Sequence, residues 1–174
     1  MTGKIKKGVR VVFADLDGTL IKNYTGETFG KGVWDMVLRF DVLEKLKEMA
    51  PKYVVIVTNQ NGIEKGYVDL CHFERKLDYV CACIEEYVGC MTLSYYCTSG
   101  DDDCPERKPN PGMLDAGYKK LIFRKEIRSK DECIMIGDAS GKEGQWGNSD
   151  LKAAENFGID YYDADDFVNM EIEM

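Results

Sequence analysis

The chain has 174 residues, 44% of them apolar and 11% aromatic, which is enough for one ordinary core and leaves little for a second domain. Its 23 Lys and Arg against 31 Asp and Glu give a net charge of −8, which argues against a broad electrostatic grip on nucleic acid or an anionic membrane. No run approaches the roughly 18 apolar residues that span a bilayer, and the stretch behind the basic start, Val9 to Ala14, is too short for a signal peptide. Residues 1–174 are therefore expected to be one domain without a membrane span, in the cytoplasm. Seven cysteines, an odd number without tight paired spacing, are expected to stay reduced.

In chain order, the β-rich apolar run Val9–Ala14 predicts the first strand. Leu43, Leu46 and Ala50 mark a helix, Tyr53–Val57 a second strand, and Leu70, Phe73, Leu77, Val80, Cys81, Ile84 and Val88 the longest helix. Met91–Tyr96 predicts a third strand. A helix opening near Pro111 carries Met113, Leu114, Gly117 and Leu121, and Cys133–Ile136 predicts a fourth strand. A last helix follows Asn148, capped by it or by Ser149, before the strand Ile159–Tyr162. The four prolines read as loop punctuation. Strands alternating with helices imply an α/β fold, doubly wound around a mostly parallel sheet, with ligands expected beyond the carboxyl ends of the strands.

Polar residues gather at those ends. Asp15 and Asp17 stand two residues apart where Gly18 permits a tight turn. Close carboxylates repel unless a cation or shared proton relieves them, so the pair points to a hard divalent ion, most simply Mg²⁺. The second strand runs into Thr58 and Asn59, a hydroxyl and fresh N–H groups suited to phosphoryl oxygens. Lys108, between Arg107 and Pro109, brings a cation, and the fourth strand closes on Gly137 and a third acid, Asp138. Each feature alone is an ordinary turn or surface pair. Together they supply what phosphoryl transfer needs: a nucleophile, an acid/base, charge clamps and a metal.

In this order, Asp15-x-Asp17-Gly18-Thr19, Thr58-Asn59, Lys108 and Gly137-Asp138 resemble the four motifs of the haloacid dehalogenase (HAD) superfamily of aspartate-nucleophile phosphatases. Thr28-Phe29 before Asp35, Thr58-Asn59-Gln60-x-Gly62-Ile63-x-x-Gly66, Arg107-Lys108-Pro109-x-x-Gly112-Met113, Gly137-Asp138-Ala139-x-Gly141 and the run from Asn148 to Ile159 resemble the phosphatase domain of polynucleotide kinase 3′-phosphatase. The resemblance runs from about Val9 to about Phe167.

The resemblance implies catalytic roles for Asp15 (nucleophile), Asp17 (acid/base), Thr58 and Lys108. It implies phosphate binding by Thr58, Asn59 and Lys108. The implied Mg²⁺ ligands are Asp15, the main-chain carbonyl of Asp17, and Asp138, with Asp150 either orienting the metal shell or capping a helix. The expected substrate is a 3′-phosphate at a polynucleotide end, DNA foremost, attacked by a monomer. The alternative is a small-molecule phosphatase of the histidinol-phosphate or heptose-bisphosphate type. Those relatives carry a zinc loop of Cys and His before the Arg-Lys-Pro, where this chain has only Cys97 and Cys104, its one histidine being His72. No Gly-x-x-x-x-Gly-Lys-Ser/Thr loop is present, so no kinase activity is expected. The acidic run Asp101–Asp103 reads as an exposed loop. No segment between the motifs is long enough for a separate cap domain, and the rim of the site is expected to be open.

Overall fold

The computed structural model describes residues 3–173; Met1 and Thr2, the first residues of the basic start, and Met174 lie outside the described residues. The chain opens with β1 (Lys4–Ile5) and β2 (Val11–Ala14), passes through the antiparallel pair β3 (Ile21–Lys22) and β4 (Val37–Leu38), and enters α1 (Phe40–Met49). β5 (Tyr53–Asn59), the single turn α2 (Asn61–Glu64), α3 (Leu70–Val88) and β6 (Met91–Cys97) follow. Then come α4 (Gly112–Phe123), β7 (Cys133–Gly137), α5 (Ser149–Phe157), β8 (Asp160–Asp163), α6 (Ala164–Phe167) and β9 (Glu171–Ile172).

Five parallel strands make the central sheet in the order β6-β5-β2-β7-β8. The chain winds from β2 outward through β5 to β6, then crosses back to β7 on the other side, so the direction of winding reverses at β2. That reversal opens a crevice at the carboxyl ends of the central strands.

β2, β5 and β7 are almost unbroken apolar runs because helices cover both faces of the sheet. Alternate side chains serve two cores. Val12, Ala14, Val54, Ile56, Ile134 and Ile136 pack with residues of α1, α3 and α6. Val11, Phe13, Val55, Val57 and Met135 pack with residues of α4 and α5.

The strands and long helices lie where the periodicity predicts them, within two or three residues at each end. α3 is capped as its sequence allows: the Asp69 side chain accepts the N–H of His72 at 2.9 Å, and Gly89 closes the other end in the left-handed conformation. Asn148 is the residue preceding α5, but its side chain makes no capping bond. The pairs β3–β4 and β1–β9 have no counterpart in the sequence reading, since two-residue strands carry no periodicity.

Candidate active site

Asp15 follows β2 directly, and its N–H still bonds the Ile136 carbonyl of β7 at 3.1 Å. The chain then turns: the Leu16 carbonyl accepts the N–H groups of Leu20 and Ile21 at 2.9 and 3.1 Å, and the Gly18 N–H donates to the Ile21 carbonyl at 2.7 Å. Gly18 has φ +83°, and a Cβ there would stand 1.9 Å from Oδ2 of Asp138. Only glycine lets the turn adopt this backbone and lets Asp138 close over it. Arg39, 8% exposed, braces the turn, donating from Nη1 to the Gly18 carbonyl at 3.1 Å while pairing with Asp41 at 2.7 Å and Asp165 at 2.9 Å.

Lys108 reaches the same point from the loop before α4. Its Nζ donates to Oδ1 of Asp15 and to Oδ1 of Asp150, both at 2.6 Å. All three residues are buried. Asp150 sits in the first turn of α5, and its Oδ2 accepts the Ala139 N–H at 3.1 Å, so it orients the loop after β7 as well as the lysine. One oxygen each from Asp15, Asp138 and Asp150 lies within 4.8 Å of the others. Burial, reinforced by Asp150 and Asp138 against the opposing pull of Lys108, raises the Asp15 carboxyl well above its ordinary value. Burial and then Asp150 push Asp138 up to about 6, again against Lys108. The two neighbouring acids hold Lys108 protonated despite its burial.

Asp17 faces another way. Its Oδ2 accepts the Gln60 side-chain amide at 2.8 Å, and the second N–H of that amide reaches Oγ1 of Thr58 at 2.9 Å. Gln60 thus ties the acid two residues after Asp15 to the hydroxyl at the end of β5. The Asn59 side chain makes a reciprocal pair of 2.9 Å bonds with the main chain of Lys108, accepting its N–H and donating to its carbonyl. Asp15, Asp17, Thr58, Asn59, Lys108 and Asp138 therefore meet at one sheet edge, as the sequence places them.

Two details of the site go beyond that placement. The carboxylates that cluster are Asp15, Asp138 and Asp150, with Asp17 turned to Gln60, and the Asn59 side chain serves as the clamp of Lys108. Sequence reasoning gives Gln60 no role; its position directly after Thr58-Asn59 at a strand end is the signal that marks it.

A cavity of about 460 Å³ opens over these groups, lined also by Lys22, Asn23, Gly26, Glu27, Thr28 and Trp146. The rim loop is shaped by Asp35, fully buried, which accepts the Thr25 N–H at 2.8 Å, the Thr25 hydroxyl at 2.9 Å and the Lys31 N–H at 3.0 Å. The described residues contain no large cap. Asp101, Asp102 and Asp103 are exposed, Asp102 pairing with Arg107 at 3.3 Å. Cys97 and Cys104 face each other with sulfurs 3.6 Å apart.

Residues 10–168 match the family described as polynucleotide kinase 3 phosphatase. The chain belongs to that family. As a HAD-like phosphatase it is 33% identical over 171 residues to the bifunctional polynucleotide phosphatase/kinase of Schizosaccharomyces pombe, a match covering 95% of this chain but only 39% of that protein. It is 31% identical over 138 residues to the D-glycero-beta-D-manno-heptose-1,7-bisphosphate 7-phosphatase of Haemophilus influenzae, covering 74% of this chain and 71% of that one. The crystal structure of D,D-heptose 1,7-bisphosphate phosphatase from B. bronchiseptica, complexed with magnesium and phosphate, shares the fold with a TM-score of 0.67 at 20% identity, over 95% of this chain and 92% of that one.

The acidic cluster of this HAD-like phosphatase gives it a pH signature in metal-free buffer. Because the folded state holds the Asp138 proton up to about 6 against an ordinary 3.8, it binds more protons than the unfolded state across that window. Stability contributed at this site is therefore lost as pH rises from about 4 to 6. Asp138→Asn is expected to remove that loss. Thermal melts in EDTA should show the variant gaining about 1–2 kcal/mol on the parent between pH 4 and 7, a figure that allows for the partly exposed carboxylate. At about 2–4 °C per kcal/mol the shift is readily measured. An Asp138→Asn melting temperature that tracks the parent at every pH would contradict it.

Proposed function

We propose that the chain is a Mg²⁺-dependent phosphomonoesterase that removes the 3′-phosphate from polynucleotide ends through an aspartyl-phosphate on Asp15. The observation that carries the reading is the convergence of Asp15, Lys108, Thr58 and the amide-anchored Asp17 on one open cavity at the point where the sheet reverses.

The donor set suits a hard divalent cation. Three carboxylates with oxygens within 4.8 Å, two of them holding protons above their ordinary range, form a site that a cation relieves. Asp15, Asp138 and Asp150 would hold the ion, with the Asp17 carbonyl as the family resemblance implies. Bound there, it would supply positive charge to the phosphoryl oxygens.

The chain's own groups do the rest. Lys108 bonds one Asp15 oxygen and leaves the other to attack phosphorus in line, forming the Asp15 O–P bond as the P–O bond to the leaving sugar breaks. Gln60 occupies Oδ2 of Asp17, so Oδ1 is the oxygen that delivers a proton to the leaving hydroxyl and then takes one from water attacking the aspartyl-phosphate. Thr58 already accepts the Gln60 amide, which frees its own hydrogen for a phosphoryl oxygen. Released phosphate regenerates the Asp15 carboxylate.

An open cavity without a large cap suits the end of a chain better than a small metabolite. Turnover should be followed as phosphate release, with Mg²⁺, from 3′-phosphorylated DNA, 3′-phosphorylated RNA, a 3′-nucleotide and a heptose bisphosphate. A 3′-phosphorylated oligonucleotide is expected to be the best substrate. Exclusive hydrolysis of the heptose bisphosphate would replace this reading with the activity named for the Haemophilus relative.

A further inference from the structure

We infer that a second cavity, continuous with the first, is a subsite for a second phosphate of the substrate, with Lys76 as its anchor. The inference rests on the phosphatase reading above and names the chemistry of what that site accepts.

The second cavity, about 420 Å³, shares Asp17, Thr28, Asn59 and Trp146 with the first, so one ligand can occupy both. Lys76 lies in its wall. It is 5% exposed, on the buried side of α3 beside Phe73 and Leu77. Among the described residues no carboxylate comes within 4.0 Å of its Nζ and no hydrogen bond is made by it. The ammonium lies beside Gly30, where a Cβ would stand 3.3 Å away, and 6.0 Å from the centroid of the Phe73 ring.

The stem of Lys76 is buried while its ammonium keeps contact with open space, and lysines with stems this buried usually hold a carboxylate. The one other buried lysine among the described residues, Lys108, has two carboxylates. Lys76 has none among the described residues; it borders this cavity and a neighbouring one of about 380 Å³ lined by Asp69 and His72, and only this one joins the site of Asp15 and Lys108. Arg107 lines the same cavity with its Nε on Asp102 and its Nη1 on the Ser99 carbonyl at 3.2 Å, so it adds positive charge beside Lys76, which has no protein partner among the described residues. The Phe29 ring lies against Gly62 in the wall of this cavity, an apolar surface for the body of a ligand that carries charge at both ends.

A three-donor ammonium facing a ligand that already presents one phosphate to Asp15 and Lys108 fits a second phosphate. It can be the internucleotide phosphodiester next to a 3′ end or a second phosphomonoester.

The experiment compares kcat/KM of the parent, Lys76→Met and Lys76→Arg on thymidine 3′-monophosphate, thymidine 3′,5′-bisphosphate and a 3′-phosphorylated dinucleotide, with Mg²⁺. The parent is expected to prefer at least one two-phosphate substrate over the monophosphate by about tenfold or more, the scale of one charge-assisted hydrogen bond. Lys76→Met, which keeps the stem and removes the charge, should shrink that ratio to within about twofold through KM, and Lys76→Arg should keep most of it. Preference for the dinucleotide alone assigns the diester as the source, and preference for the bisphosphate alone assigns the monoester. A parent that turns over all three equally overturns the subsite and leaves the phosphatase reading standing. So does a Lys76→Met ratio equal to the parent's. No turnover of any of the three overturns the polynucleotide 3′-phosphatase reading and the subsite with it.

Discussion

Asp15→Asn is expected to abolish turnover while leaving the fold intact. Removing a nucleophile from a site of this kind costs on the order of 10⁴-fold or more, because the remaining groups stabilise charge that no longer develops. The substitution is close to isosteric, and its effect on stability runs the other way. Three carboxylates and one lysine share the site, and burial with like-charge neighbours already raises the Asp15 carboxyl. Once that carboxyl is an amide, the ion pair of Lys108 and Asp150 is balanced, so the metal-free melting temperature should equal or exceed the parent's. Two measurements check this together. Acid quench during turnover, followed by peptide mass analysis, should trap a phosphoryl adduct on the peptide containing Asp15 in the parent and none in the variant. A folded Asp15→Asn protein with near-parent turnover would remove Asp15 from the chemistry.

How much of this was legible in the sequence depends on the range over which each signal acts. The central strands and α3 announce themselves because burial on both sheet faces or on one helix face imposes a run or a period over many residues. The candidate edge is legible because Asp15, Thr58 and Asp138 stand at or just past strand ends and Lys108 in the loop leading to α4, positions that topology brings together. What stayed hidden is partnership. Asp150 lies far along the chain from Asp15, and only packing of α5 on β7 reveals that both carboxylates grip one lysine. Gln60 looks like any polar residue after a strand until its amide is seen to bridge Asp17 and Thr58. The Asn59 side chain is tied to the main chain of Lys108, a partnership nothing in its spacing announces. Lys76 sits among Phe73, Leu77 and Val80 as one charge in an apolar stripe, and nothing in the spacing tells whether it has a partner.

Lys108→Met carries the largest stability effect, and its size depends on what the two stranded acids can do. Deleting one member of a buried ion pair typically costs about 3–5 kcal/mol, since the remaining charge is left without compensation. Here two remain, Asp15 and Asp150, both buried. They can escape the full cost by taking up protons, so the loss should be small near pH 5 and grow as pH rises toward 8, where keeping those protons is itself unfavourable. The parent shows no such growth from this pair, because its lysine stays protonated throughout that range. Melts at pH 5 and pH 8 in EDTA therefore distinguish electrostatic loss from a packing defect, which would be the same at both. Mg²⁺ offers a second discriminator: by bringing charge back to the acids it should recover stability in Lys108→Met at pH 8. Turnover should stay down by about a hundredfold or more, the scale for losing one charge-stabilising donor. The double variant Lys108→Met, Asp150→Asn should recover stability without metal and remain inactive, since it removes one stranded charge and restores no donor. Equal destabilisation at both pH values, untouched by Mg²⁺ or by Asp150→Asn, would show that Lys108 fills space rather than balancing charge.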